Sequence, residues 1–135
     1  MPYSRISSKL AFSFLSILLM AGAAHGGVLQ DCGQQEKTAS GYDSCIVATQ
    51  QRSLRELRLI DSAITTKFQT ATKDKYAFRL YATAESRYVR ERKARCGTAA
   101  SDAAKNRMDA QQARLVCEAE ANFAHVDELK QRYPQ

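Results

Sequence analysis

The chain has 135 residues, 44% of them hydrophobic and 25% charged, a composition typical of one small globular domain. Its formal net charge of +6 is a mild excess that falls short of the dense positive charge of a dedicated DNA-binding protein. Neither the length nor the composition indicates a second domain.

Residues 1–26 have the pattern of a secretory signal peptide. Arg5 and Lys9 precede an uncharged, mainly apolar stretch at 10–20 (LAFSFLSILLM), and the small residues AGAAHGG follow it. The alternative is a membrane anchor, but a span of the bilayer takes about 20 apolar residues. We therefore predict a cleaved leader.

Cleavage is expected after Ala23 or Gly26, which leaves a helical domain of residues 27–135. Cys32 follows the sequence LQD instead of small residues, so we expect no lipid anchor, no stable membrane insertion and a periplasmic or secreted protein. Without the two basic residues of the leader, the 20 basic residues fall to 18 against 14 acidic ones, a net charge of +4. Because export separates the protein from cytoplasmic nucleic acid, no nucleic-acid partner is expected.

The first helix is predicted over residues 40–72. Ser40 is its expected N-cap, with Asp43 three positions later as in a capping box. Residues 27–37 before it lack a period and are predicted as an extended segment held by Cys32. Apolar residues recur in the helix at intervals of three and four, which indicates one amphipathic face. They are Leu54, Leu57, Ile60, Ile64, Phe68 and Ala71.

A second helix is predicted over residues 76–95, after a polar break at 72–75 (TKDK). Gly97 is expected to close it in the left-handed conformation, before a loop of small residues at 97–104 (GTAASDAA). The basic sequence RERKARCG at 90–97 then ends the helix, where cations complement the helix dipole. The predicted buried residues are Leu80, Tyr81, Ala84 and Tyr88.

A third helix is predicted from a three-four repeat that starts at Met108 and ends before Pro134. Since no stretch alternates strictly, the predicted fold class is all-α, a three-helix bundle built on a long antiparallel hairpin of the first two helices. Asp61, Gln112 and Asn122 interrupt the apolar seams. They are either a polar site in the bundle or partly exposed, register-fixing residues. The other residues of the repeat are Leu115, Ala119, Val126, Leu129 and Tyr133.

The four cysteines all follow the leader. An even number in a short exported chain indicates two disulfides, each worth about 3 kcal/mol. No two cysteines are close in sequence and His125 is the only histidine after the leader, so we expect no metal site, no Cys-x-x-Cys redox centre and no cofactor. Spacing alone leaves three connectivities open. The cysteines are Cys32, Cys45, Cys96 and Cys117.

The cysteine spacing and three segments carry a family resemblance. Twelve residues separate Cys32 from Cys45, and LIDSAITTKF at 59–68 combines an aliphatic–aspartate pair with a later aliphatic and an aromatic residue. ESRYVRERKARCG at 85–97 and CEAEANFAHVDEL at 117–129 carry the other two cysteines. Together they resemble the LprI-type lysozyme-inhibitor family of small exported helical proteins, over nearly all of the mature chain.

Three positions differ from the family pattern. Glu85 and Tyr88 stand where glutamine and tryptophan are usual, and His125 stands where arginine is usual. The resemblance implies inhibition of lysozyme. It also implies two sequential bridges, Cys32–Cys45 and Cys96–Cys117.

An inhibitor of lysozyme would act by occlusion, since lysozyme depends on two carboxylates in an open cleft. The candidate element is the 97–107 loop, with Asp102 and Lys105 as polar contacts. Because common lysozymes are cationic, a local acidic patch has to offset the net charge of +4. The candidates for this patch are Glu118, Glu120, Asp127 and Glu128.

A module that binds an anionic cell-envelope polymer, or associates with peptidoglycan, is the second hypothesis. Arginines recur every three residues on the first helix, and basic residues line the end of the second. They could meet phosphate or carboxylate groups, and a solvated basic surface is the alternative. These residues are Arg52, Arg55, Arg58, Arg87, Arg90, Lys93 and Arg95.

An enzyme is the third hypothesis, and we expect no enzymatic activity. The sequence has no readable serine–histidine–acid motif and no glycine-rich phosphate loop, and disulfide formation would leave no nucleophilic cysteine. A single histidine on a helix, His125, is expected to serve packing or to lie on the surface.

Overall fold

A computed structural model describes residues 27–134. This part of the chain is all-α, as predicted, with four α-helices where three were expected. None of these helices is long and apolar enough to cross a membrane. The predicted signal peptide, residues 1–26, lies outside the described residues. The elements are α1 (Val28–Gln35), α2 (Ala39–Lys67), a π-helical turn (Phe68–Thr72), α3 (Lys75–Lys105) and α4 (Ala110–Arg132).

The segment before the first long helix is helical, so the predicted extended conformation is wrong. Val28 and Cys32 lie one turn apart on α1 and are both buried. A helix of 8 residues is unstable alone, so α1 depends on its packing against α2 and α4 and on the bridge from Cys32 to Cys45. Two buried positions are too few for a period to be detected in the sequence.

The start of α2 also differs from its prediction. The N-cap is Thr38, not Ser40, and its hydroxyl accepts a hydrogen bond from the Gly41 amide at 3.0 Å. Threonine caps helices nearly as well as serine, so the sequence contains two suitable N-cap residues two positions apart. At the other end α2 continues as the π-helical turn to Thr72, where the helix was predicted to stop.

The polar break at 72–75 is confirmed. Lys73 has a φ of 49°, in the left-handed region, and reverses the chain. Asp74 caps α3, since its carboxylate accepts hydrogen bonds from the amides of Tyr76 and Ala77 at 3.0 and 2.9 Å.

Helix α3 extends ten residues beyond the end predicted at Arg95. Gly97 has a negative φ within the helix, and the predicted small-residue loop at 97–104 is helical. The sequence after Gly97 contains four alanines, which favour helix, and one of them, Ala103, is buried. RERKARCG therefore lies inside α3, and its predicted role at a helix end is wrong.

The buried face of α3 is more polar than predicted. Tyr81 is buried and Tyr88 half-buried, as expected, whereas Leu80 and Ala84 are exposed. The inward positions are taken by residues that apolar periodicity does not count. These are Glu85, Arg92 and Cys96, which follow Tyr81 at helical spacing.

Helix α4 is the centre of the bundle. Hydrogen bonds from Gln50 to Glu118 and from Lys67 to Pro134 show that α2 runs parallel to α4. Helix α3 runs antiparallel to both. Helices α2 and α3 pack mainly on α4, and they meet each other near the π-helical turn, where Tyr81 of α3 bonds to Asp61 of α2.

Both disulfides implied by the family resemblance are confirmed. Cys32 pairs with Cys45, with 5.7 Å between their Cα atoms, and ties α1 to α2. Cys96 pairs with Cys117 at 5.5 Å and ties α3 to α4. All four cysteines are therefore bonded.

Two apolar clusters form the core and a polar layer separates them. The first cluster joins α1 to the N-terminal parts of α2 and α4, and the second lies towards the π-helical turn. Between them Asn122 of α4 is fully buried opposite Ser53 of α2. The buried cluster residues are Val28, Cys32, Ile46, Val116 and Ala119 in the first and Ile60, Ile64, Tyr81, Val126 and Leu129 in the second.

Candidate functional site

Asn122 joins the three long helices through its side-chain amide. Its Oδ1 accepts hydrogen bonds from the hydroxyl of Tyr88 at 3.0 Å and from Arg92 at 2.5 Å, both on α3. Its Nδ2 donates to Ser53 Oγ on α2 at 3.0 Å, and that hydroxyl donates to the carbonyl of Gln50 at 2.6 Å. Every polar atom of this buried side chain thus has a partner, as a stable core requires.

His125 lies one turn further along α4 and is held on three sides. Its Nε2 lies 2.9 Å from Glu85 and its Nδ1 3.3 Å from Glu128. Its ring stacks on Tyr88, with 3.7 Å between ring centroids. Burial alone would lower the pKa of His125, but the hydrogen bonds and negative charges of Glu85 and Glu128 raise it above the usual value of 6.5.

The environment of His125 favours the imidazolium form. Both ring nitrogens face carboxylates, so in that form both donate and neither is available as a general base. Tyr88 is a poor acid because its burial raises the pKa of the phenol, although Arg92 acts in the opposite direction. This arrangement serves to connect helices.

The three positions that differ from the family pattern contact one another. Glu85 pairs with His125, and His125 stacks on Tyr88. Sequence reasoning named these residues separately and missed both their contact and the role of Arg92. The signal was present in the spacing, because positions 81, 85, 88 and 92 share one face of α3.

The polar residues that interrupt the seams form hydrogen bonds between helices. Asp61 accepts from Tyr81 at 2.6 Å, and burial together with this bond raises the pKa of Tyr81 far above its usual value. Gln112 donates to Asp43 at 3.0 Å. Asp61, Gln112 and Asn122 thus agree with the prediction that polar residues in the seams fix the register of the helices.

A separate open groove of about 670 Å³ lies between α1, α2 and α4. Val28 and Phe123 contribute apolar surface to it, and the Arg52 guanidinium lies 5.3 Å from the centre of the Phe123 ring. Glu120 accepts a hydrogen bond from the Val28 amide at 3.2 Å, which fixes α1 beside α4. Four carboxylates and two cations line the groove: Asp31, Glu56, Glu120 and Asp127, with Arg52 and Lys130.

The groove contains two of the four acidic residues that the sequence indicated. Glu120 and Asp127 line it, whereas Glu118 bonds to Gln50 at 3.1 Å, away from the groove. Glu128 bonds to Arg132 at 2.6 Å and faces His125. The sequence missed Asp31 and Glu56 because they come from two other helices.

The predicted inhibitor contacts lie at the end of α3. Asp102 and Lys105 are exposed on its last turn and pair with each other at 3.3 Å. Since 97–105 is helical, the link to α4 is confined to residues 106–109, where Arg107 has a φ of 57°. The predicted loop of 97–107 is therefore mostly a helix end.

The predicted polyanion-binding residues come from two helices, α2 and α3. Arg52 belongs to the acidic groove. Arg55 and Arg58 are exposed on the outward side of α2, and Arg87 and Arg90 are exposed on α3. The two pairs are thus presented by two helices that pack mainly on α4. Lys93 and Arg95 are also exposed on α3.

Within residues 27–134, no group of three or more histidine, cysteine, aspartate or glutamate side chains could hold a metal ion. Comparisons with protein-family models, with curated proteins and with solved structures found no match to this chain.

Proposed function

We propose that the protein is an exported, non-enzymatic binding protein that inhibits a lysozyme by covering its active-site cleft. The observation that carries this proposal is the acidic groove between α1, α2 and α4. The side chains of its four carboxylates and two cations sum to a charge of −2, and cleavage after Gly26 would place the α-amino group of Gly27 at its wall and leave a local charge of −1. A groove of this charge suits a cationic protein partner, although the mature chain as a whole is basic.

The groove also has the mixed surface that protein recognition uses. The Phe123 ring and the Val28 side chain offer apolar contact beside Glu120 and Asp127. Arg52 already lies over the Phe123 ring, so a lysine or arginine from the partner would place its alkyl part on the remaining apolar surface and its charged end at the carboxylates. The groove, and not the 97–107 segment, is thus the main contact.

The end of the bundle formed by the last turn of α3 provides a secondary contact. Asp102 and Lys105 project from the last turn of α3, which the Cys96–Cys117 bridge anchors to α4 about two turns away. A rigid end suits occlusion, because little conformational freedom is lost on binding. Two disulfides within residues 27–134 are also typical of an oxidising compartment, which supports export.

The proposal is tested by measuring the lysis of bacterial cell walls by lysozymes of several classes, with and without the purified mature protein. We expect inhibition of at least one lysozyme, with partial relief by Glu120→Gln combined with Asp127→Asn. Glu91→Gln is the matched control, because Glu91 is an exposed acid on α3, away from the groove. Equal inhibition by the groove variant and the control would show that the groove is not the contact.

An envelope polyanion-binding module is the second candidate. It is favoured by the exposure of Arg55, Arg58, Arg87 and Arg90. If it is correct, the mature protein is retained on an anionic polymer, and charge removal at these four arginines lowers the salt concentration needed for elution. Retention that these variants leave unchanged would contradict this alternative.

A further inference from the structure

The end of the bundle at the π-helical turn carries an open apolar groove of about 370 Å³. The exposed side chain of Leu80, with 55% of its surface accessible, forms one wall. Tyr76, on the preceding turn of α3, is 66% accessible. Tyr76 and Leu80 are four positions apart on α3, so their exposed side chains lie side by side next to the groove. The groove is formed by Ile64, Phe68, Ala77, Leu80 and Tyr133 with Lys67 and Thr72.

A cluster of basic residues lies in the segment that forms this end of the bundle. Residues 67–79 contain four basic residues and one acidic residue, a net charge of +3. The acidic residue, Asp74, is engaged as the cap of α3. Lys67 lines the groove, and Lys73 and Lys75 lie exposed at the adjoining reversal of the chain. The basic residues are Lys67, Lys73, Lys75 and Arg79.

The backbone places the basic side chains at the end of the bundle formed by the π-helical turn. The π-helical turn of Phe68–Thr72 forms the end of α2 and precedes the reversal of the chain. Lys73 then takes a left-handed φ of 49°, which turns the chain towards α3. Lys73 and Lys75 thus flank the reversal of the chain, and both are exposed.

We propose that this end of the bundle docks on a membrane surface that contains anionic lipids. The basic residues would pair with lipid phosphates, and Leu80 and Tyr76 would enter the interface between headgroups and acyl chains. Lysine suits this position because its alkyl chain lies along apolar surface while the ammonium group reaches the headgroups. Only a few apolar residues would enter, so the attachment is peripheral and reversible.

Fluorescence of an introduced tryptophan tests the proposal, because the chain contains no tryptophan. Leu80→Trp is titrated with vesicles of phosphatidylcholine alone and of phosphatidylcholine mixed with phosphatidylglycerol. We expect a blue shift of the emission with the anionic vesicles alone. The matched control is Met108→Trp, since Met108 is an exposed apolar residue in the link between α3 and α4, at the opposite end of the bundle. Its emission should stay unchanged with either vesicle.

Charge-reversal variants distinguish docking by this end of the bundle from non-specific attraction between a basic protein and an anionic membrane. Lys73→Glu with Lys75→Glu should weaken partition into anionic vesicles by at least roughly tenfold. Arg55→Glu with Arg58→Glu, on the side of α2, should leave partition within about twofold after allowance for the lower net charge. No blue shift with anionic vesicles, or equal responses at positions 80 and 108, would refute the proposal. So would a concentration-dependent blue shift of Leu80→Trp without vesicles, which would assign the groove to a second copy of the chain.

Discussion

His125 and Tyr88 stack face to face, with 3.7 Å between ring centroids and 14° between ring planes. The stack joins α4 to α3 at the level where the core changes from apolar to polar. Glu85 completes the arrangement by pairing with His125 at 2.9 Å. A titratable group thus lies in the packing between two helices, and the stability of the bundle should depend on pH.

We expect His125 to stabilise the fold more in weakly acidic than in weakly alkaline solution. Glu85 and Glu128 raise its pKa in the folded state above the unfolded value of 6.5. The stabilising contribution is therefore fully present below about pH 6.5 and is lost as the pH rises through the raised pKa. Thermal unfolding of the wild type and of His125→Gln across this range measures it. The gap between the two melting temperatures should narrow as the pH rises, and a gap that widens would contradict the account.

Replacement of the buried amide should be among the most damaging single changes. Asn122→Ala removes the partner of Tyr88, Arg92 and Ser53 together, and it leaves the Arg92 charge without its acceptor. We expect a loss of about 3 kcal/mol in the free energy of unfolding, measured by denaturant titration. Asn106→Ala is the matched control, because Asn106 is exposed and bonds only within the end of α3. A cost below about 1 kcal/mol for Asn122→Ala would show that the polar layer is not a structural element.

The two disulfides should stabilise different parts of the fold. Removal of the Cys96–Cys117 bridge by paired alanines frees a link of 21 residues between α3 and α4, and we expect a loss of about 3 kcal/mol or more. Removal of the Cys32–Cys45 bridge should mainly release α1, so that hydrogen exchange becomes fast at Val28–Gln35 while α4 stays protected. Equal loss of protection in both helices in the second variant would contradict this division.

Apolar periodicity correctly predicted the buried positions of a helix whose inward face is mainly apolar. The α4 positions Ala119, Val126 and Leu129 are buried as expected, because this helix presents one regular apolar stripe to both neighbours. The end of α3 was missed because Gly97 resembled a helix terminator. Its neighbours are good helix formers, and the burial of Ala103 keeps the helix intact.

The candidate sites were harder to predict because they combine residues from several helices. Glu120 and Asp127 could be selected as acids on one helix, but Asp31 joins them only because α1 folds back beside α4. Arg92 carries the same charge as its exposed neighbours in the sequence. Its spacing from Tyr81, Glu85 and Tyr88 places it on their face of α3, but its bond to Asn122 also requires the direction of α3 relative to α4, which the spacing alone does not give.

The most direct test of the proposed function is a calorimetric titration of a cationic lysozyme with the purified mature protein. The account predicts saturable binding at one site with a Kd of about 1 μM or tighter. It also predicts binding at least roughly tenfold weaker for Glu120→Gln combined with Asp127→Asn, at an unchanged melting temperature. No binding to lysozymes of any class, or equal affinities for the wild type and the groove variant, would contradict it.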